Sequence, residues 1–487
     1  MQRARSKTHQ ARTETHPGYH KIDVPEIDDN PLLAHLRLPP ETDDDAFLAL
    51  GLGARFDPKE RNLPTSIRRI RVNRLRRFFI PVLPAHRRAL IDINSQLFDS
   101  YLARNPMTPE GQTILHGGPT NSPYRSTISL VAGHSGMGKS TLLDRILAYP
   151  GHQVYQHTNF NGVSFPEKQI LWLRRNLPEQ CTLGTLCSTF GDHTDRVLGV
   201  NLYGGAFTRV RADRSQYLKQ IRKIITDHHV GLLVLDEFQN LSLMGVGAEK
   251  IIALLVNLRD ELGLPIVLVG TYKALRLLEG TMSTARRLCE GGYFDLERPL
   301  SAEDPTWNLF CEAAWKYMWV RKPAEFEDKI VDALYEVSQG ISGIMLSVLA
   351  RAQLAAMEED GGERVDADLI RKVFWERMTP LHPAIRILSS GDPKLMDKFD
   401  DLYRNAYPTG DRREDDIGTD HQTTDGEEQA SAETQSPTKT QNANRRSKSG
   451  RPARQTSSRT SPMTEEQIKK LVTADSIGSI VSVLDLP

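Results

Sequence analysis

A chain of 487 residues is long enough to bury one or two substantial cores and still carry non-globular ends. Lys and Arg number 62 and Asp and Glu also 62, so the bulk charge points neither toward nor away from nucleic acid, and its distribution matters more than its sum. Four cysteines (Cys181, Cys187, Cys289, Cys311) without a C-x-x-C pair or metal-ligand spacing, no apolar run of membrane-spanning length and a basic N-terminus without an apolar h-region together predict a soluble cytosolic protein with reduced thiols, not a secreted or membrane-anchored one.

In chain order, residues 1–62 are polar, with Pro and acidic clusters such as Asp43-Asp44-Asp45. They read as a largely flexible arm with one short helix near Asp45–Leu50. Residues 63–123 form a basic and aromatic extension. In it Arg68, Arg69, Arg71, Arg74, Arg76 and Arg77 interleave with Ile70, Leu75, Phe78, Phe79 and Ile80, a pattern that suits either a packed, partner-docking segment or a DNA contact. After Pro84, Leu90, Ile93, Leu97 and Tyr101 recur at helical spacing, and a Gly/Pro-rich connector follows.

From 124 to 300 strand and helix patterns alternate. Thr127–Ala132, His152–Asn159, Leu232–Leu235, Pro265–Gly270 and Tyr293–Leu296 read as strands, and the intervening stretches as helices. Continuous apolar strands separated by helices predict an α/β domain, a parallel sheet sandwiched by helices. Residues 301–378 turn all-helical, with Asp366 as a plausible N-cap, and predict a small helical lid domain. Residues 379–464 read as a linker and a disordered tail, acidic and then basic, and 465–487 as a short docking peptide.

The chemistry begins at Gly133-His134-Ser135-Gly136-Met137-Gly138-Lys139-Ser140, followed by Thr141: a complete G-x-x-x-x-G-K-S loop between an apolar strand and an amphipathic helix. Its glycines let successive backbone N–H groups face phosphate oxygens, Lys139 reaches the β- and γ-phosphates, and Ser140 ligates Mg²⁺. ATP and Mg²⁺ are the expected cofactors. The apolar strand Leu232–Leu235 ends in Asp236-Glu237, placing a carboxylate that holds Mg²⁺ through water beside one suited to polarise the attacking water. Thr271, at the end of the strand Pro265–Gly270, is a candidate sensor of the γ-phosphate; its alternative role is to cap the following helix. Arg286 or Arg287 is a candidate finger reaching a neighbouring subunit's nucleotide, or else the two are a solvated pair. Lys168, Arg174-Arg175 and the basic run Arg209, Arg211 and Arg214 read as loops, either solvated or lining a channel along a phosphate backbone.

Loop, Asp-Glu strand, Thr-ended strand, Arg pair and helical lid, in this order, resemble an AAA+ P-loop ATPase. Within that class, Phe78-Phe79-x-Pro81, Tyr101-Leu-Ala-Arg104-Asn105-Pro106, Leu235-Asp-Glu-Phe-Gln-Asn-Leu241 and Val269-Gly-Thr-Tyr272 resemble the TnsC/TniB family of transposition regulators over residues 65–378. The resemblance implies an ATP-dependent regulator that oligomerises as a ring or filament on double-stranded target DNA. It further implies placement there by a TniQ/TnsD-like target selector, activation of transposase subunits, and residence in a bacterial cytosol close to the nucleoid. Two other readings share the core: a helicase-loader-like replication ATPase directed to single strands, and an ATP-gated signalling scaffold that does not meet DNA.

Overall fold

A computed structural model describes residues 15–116, 118, 124–205, 214–241, 246–277, 282–358 and 362–396. The tail, the terminal docking peptide, Arg209 and Arg211 lie outside the described residues.

Five strands make the central sheet. In chain order the strands are β1 (Ile128–Gly133), β2 (Val154–Gln156), β3 (Asn159–Phe160), β4 (Val163–Ser164), β5 (Lys168–Ile170), β6 (Trp172–Asn176), β7 (Leu232–Asp236), β8 (Ile266–Gly270) and β9 (Tyr293–Leu296). The sheet runs β6-β7-β8-β1-β9, all parallel, with Ile128 opposite Ile266 and Leu233 opposite Ile266 fixing the register of the three central strands. β1, β7 and β8 are buried along their whole lengths, the signature of a sheet covered on both faces.

The period-2 alternation of strands sorts the core into two clusters. Ile128, Leu130, Ile266 and Leu268 face the helices Leu183–Leu198, Arg214–Asp227 and Val246–Leu262. Val131, Val267 and Val269 face the other way, toward the long helix Pro84–Ala103 and the helix Lys139–Ala148. Pro84 at the first position pre-sets the long helix. Its Gln96 donates to Gly291 O at 2.7 Å and bonds the buried Ser129 of β1, so the extension is bolted to the sheet.

Two expectations about the sheet change. His152–Asn159 is not a sheet strand: only Val154–Gln156 is extended before Asn159, and it pairs antiparallel with β5 in a separate ribbon. The second strand of the sheet is instead β6, Trp-Leu-Arg-Arg-Asn, so Arg174 and Arg175 belong to a strand and not to a loop. As an edge strand it lacks the apolar run that marks its neighbours.

The arm also differs from expectation over residues 15–62. The short helix is present, at Asp43–Leu50, capped by Thr42, whose hydroxyl accepts from Asp45 N at 3.1 Å. Around it the chain is packed: Leu32, Leu33 and Leu50 are fully buried and Phe47 nearly so. Each such side chain contributes about 1.5–3 kcal/mol. Asn30 donates to Tyr101 O at 2.9 Å, Gln169 donates to Leu32 O at 2.9 Å, and Arg145 of the helix Lys139–Ala148 donates to Ala49 O at 2.6 Å.

The helical lid comprises Pro305–Trp315, Asp328–Ser338, Ser342–Ala356 and Ala367–Arg377, the last capped by Asp366. It does not stop at 378: the helix His382–Ser390 buries Ile385 and Leu388 against it. Arg68, fully buried in the extension, meets Glu363 in a two-pronged ion pair with one N–O distance of 2.7 Å and donates to Trp319 O at 3.0 Å. These bonds hold Glu363 ionised below the usual carboxylate range. No single helix among the described residues is long and apolar enough to cross a membrane.

Candidate nucleotide site

The phosphate loop turns on two glycines in the left-handed region, Gly136 at φ +87° and Gly138 at φ +81°. A Cβ on Gly138 would sit 3.1 Å from the Phe79 ring, so side-chain bulk is excluded as well as disfavoured by the backbone. The helix Lys139–Ala148 starts directly after this turn and aims its N-terminus at the loop's concavity. Lys139 Nζ lies against the loop itself, donating to the carbonyls of Gly133 and His134 at 2.8 Å each. Ser135 and Ser140 are exposed, Thr141 is half-buried, and Met137 is buried. His134 is buried edge-on against Tyr272, with ring centroids 4.8 Å apart.

Asp236 ends β7 and is 3% exposed. Its Oδ1 accepts from the backbone N–H of Glu237 at 2.9 Å, and its Oδ2 accepts from Arg174 Nη2 at 2.6 Å. Glu237 is in the left-handed region at φ +58°, a costly conformation for a residue with a side chain. That turn folds Gln239 back: its Nε2 donates to Glu237 Oε2 at 2.5 Å, and its Oε1 accepts from Thr271 N at 3.0 Å. One amide therefore connects the two strand ends that carry Glu237 and Thr271. A Cβ on Gly270 would stand 2.6 Å from Gln239 Oε1 and push this amide aside.

The Thr271 hydroxyl is buried and has no hydrogen-bond partner, so it does not cap the turn that follows; the Thr271 carbonyl does, accepting from Ala274 N. Next to it, Tyr272 donates to Asp295 Oδ1 at 2.6 Å. Burial, followed by the charge of Asp295, raises its phenol far above the ordinary value.

The loop opens into a cleft shared by three parts of the chain. The extension supplies Phe78, Phe79, Ile80, Val82 and His86, the loop supplies Gly136, Met137, Gly138 and Thr141, and the lid supplies Pro299, Trp307, Phe310 and Leu346. Its mostly apolar and aromatic lining suits the planar base of a nucleotide. Burial, followed by Arg87, pushes the His86 imidazole down to about 3, so it is neutral in the cleft wall. The lid reaches the loop directly, where Gly343 N donates to Gly136 O at 2.9 Å and Ser342 Oγ donates to the same carbonyl at 3.1 Å. The base-facing residues escape a motif search because they come from segments on both sides of the domain. Their nearest sequence signal is the run Phe78-Phe79-Ile80.

A nucleotide fits these residues on three counts. The loop carries two left-handed glycines, an orphaned buried hydroxyl waits at the end of β8, and an apolar cleft adjoins the loop. Residues 124–278 match the family model of an AAA domain. This stretch of the chain is an AAA domain. Among solved structures, the chain is similar to a Walker-type ATPase of Pyrococcus abyssi at 15% identity and TM-score 0.38, over 56% of this chain and 73% of that one. It is similar to Cdc6p of Pyrobaculum aerophilum at 15% identity and TM-score 0.38, over 65% of this chain and 70% of that one. It is also similar to the Orc1 protein of Aeropyrum pernix, solved in complex with DNA, at 16% identity and TM-score 0.37, over 60% of this chain and 67% of that one. No curated protein matches the chain.

The other predicted residues are scattered around the AAA domain. Arg286 and Arg287 are both exposed on the short helix Met282–Leu288. Lys168 is half-buried on β5, and Arg214 opens the helix Arg214–Asp227. Arg174 lies beside the strand end that carries Asp236, bound to Asp236 and to Asp144. Arg175 is half-buried, its pKa lowered by burial and then by Arg196. The Arg104-Asn105-Pro106 element is structural, with Arg104 buried and donating to Val230 O at 2.9 Å and Asn105 donating to Asp29 O at 3.2 Å.

Proposed function

We propose that the chain is an Mg²⁺-dependent ATPase that assembles with ATP on duplex DNA, regulates transposition by linking a target-selecting protein to transposase subunits, and is released by hydrolysis. The observation that carries the ATPase part is the Glu237–Gln239–Thr271 connection beside the phosphate loop. The TnsC/TniB resemblance of the motifs over residues 65–378 supports the transposition part.

When bound, Mg·ATP supplies the electrophilic phosphorus and the metal charge that offsets the negative charge developing in transfer. Lys139, which now donates to the carbonyls of Gly133 and His134, would hold phosphate oxygens, and Ser140 and Asp236 would hold the metal. Glu237 orients the attacking water and takes its proton. Gln239 restrains Oε2 of Glu237 and leaves Oε1 to the water. Thr271 offers its unpartnered hydroxyl to the γ-phosphate, and Gln239 ties its backbone to the base, so the phosphate state is sensed where the proton is accepted. Arg286 or Arg287, both exposed, serves a neighbouring subunit's nucleotide.

The test is imaging of the full chain with a slowly hydrolysed ATP analogue and duplex or single-stranded DNA. Regular assemblies on the duplex alone support the reading. Assemblies on single strands only would shift it to a helicase-loader role, and nucleotide binding with no assembly on either would refute it.

A further inference from the structure

The sequence places Arg174 among the candidate DNA contacts, and the mechanism above gives it no part. It stands on the edge strand β6 opposite Val234, two residues before Asn176, which pairs with Asp236. From there its guanidinium bridges two carboxylates: Nη2 to Asp236 Oδ2 at 2.6 Å, and Nη1 to Asp144 Oδ1 at 2.5 Å. The two acids differ in kind. The side chain of Asp236 is 4% exposed, at the end of β7, whereas that of Asp144 is 71% exposed on the helix that follows the phosphate loop. Arg174 itself is 17% exposed, and its Nε is buried with no hydrogen-bond partner.

A guanidinium cannot be deprotonated, so it is a permanent cation lying on the carboxylate a divalent cation needs. Two cations on one carboxylate repel, most strongly where burial weakens solvent screening, so the two compete for Asp236. The second fork of Arg174 already rests on Asp144, which gives it a place to go without losing every partner. The orphaned Nε likewise marks an arrangement that leaves one of its donors unsatisfied.

We propose that Arg174 is a positioning residue that holds Asp236 until Mg²⁺ arrives with nucleotide, and that the metal claims Asp236 by displacing the guanidinium toward Asp144. This rests on the ATP-site reading above and adds a gate to it: Arg174 sets the Mg²⁺ concentration at which nucleotide is held. It also keeps the buried Asp236 paired when no metal is present, so the same contact stabilises the empty site and opposes its filling.

The experiment is a titration of Mg²⁺ at fixed fluorescent ATP analogue, read by fluorescence polarisation on the full chain, for wild type, Arg174→Gln, Arg174→Lys and Asp144→Asn. Arg174→Gln should lower the Mg²⁺ midpoint by about tenfold, the worth of one charge-assisted hydrogen bond. Arg174→Lys, a single point charge, should fall between it and wild type. Asp144→Asn, at an exposed position that leaves folding intact, should raise the midpoint because the displaced guanidinium loses its second partner. Unchanged midpoints in Arg174→Gln and Asp144→Asn would overturn the gate while leaving the ATP site standing, and so would a higher midpoint in Arg174→Gln. Wild type that holds no nucleotide at any Mg²⁺ concentration would instead overturn the site reading itself. A purely structural Arg174 would change the melting temperature and leave the Mg²⁺ midpoint where it was.

Discussion

Single residues set the site by what they forbid as much as by what they offer. Gly138 combines φ +81° with a Phe79 ring 3.1 Å from where a Cβ would lie. Gly138→Ala should therefore strain the loop by about 1–2 kcal/mol, weakening ATP analogue binding by about tenfold or more, as read by titration. Unchanged affinity would mean that the loop is not the phosphate cradle. The glycine spacing made this position legible in the sequence, because glycine meets the turn without backbone strain. Asp236 and Glu237 were legible for a similar reason, as charges ending an all-apolar strand. Gln239 was not. A glutamine two residues after an acid reads as ordinary surface, and only the left-handed backbone of Glu237 turns it back between two strand ends. The bonds of Arg174 were not legible either, because its partners, Asp144 and Asp236, lie 30 and 62 residues away, a pairing no local pattern reveals.

At the scale of elements, the cleft exists because three segments far apart in the chain converge on one loop. The lid's closest approach is backbone to backbone, and a Cβ on Gly343 would stand 2.9 Å from Gly136 O. Gly343→Val should push the start of the helix Ser342–Ala356 off the loop and break the 2.9 Å bond from Gly343 N. Nucleotide affinity should fall about tenfold, the equivalent of one lost hydrogen bond plus steric displacement, with the lid helices still formed by circular dichroism. Affinity equal to wild type would show that the lid does not shape the site. The lid helices were legible because their aromatic and aliphatic residues recur at helical spacing over 11 to 15 residues. The arm was not, because Leu32, Leu33 and Leu36 sit in a non-repetitive turn bounded by prolines. Their burial comes entirely from tertiary partners, among them Tyr101 and Gln169. The edge strand β6 was missed for want of an apolar run, since two of its five residues are arginines.

For the whole molecule, buried imidazoles connect stability to pH. His35, His86 and His229 are pushed down to about 3, and His157 to about 4, in each case by burial first. Below about pH 6.5 the unfolded chain takes up protons that the folded chain refuses, so these groups leave stability intact above that pH and erode it on acidification toward pH 3–4. Each contributes at most about 1.4 kcal/mol per pH unit over that window. The melting temperature should fall steadily between pH 6.5 and pH 5, and His86→Phe should flatten the slope by one group's share; a flat wild-type profile would contradict the buried, neutral assignment. The α/β order and the helical lid were legible at this scale because strand and helix periods alternate in the chain, whereas the convergence of arm, extension and lid was not, being a matter of long-range contact. The proposal that nucleotide state at Lys139 and Asp236 governs association with DNA is tested by fluorescence anisotropy of labelled duplex DNA with Glu237→Gln. The expected result is tight, salt-sensitive binding with Mg·ATP that persists, because hydrolysis no longer ends it, and little binding with ADP. A variant that binds ATP yet holds duplex DNA equally in both nucleotide states, or in neither, would contradict it.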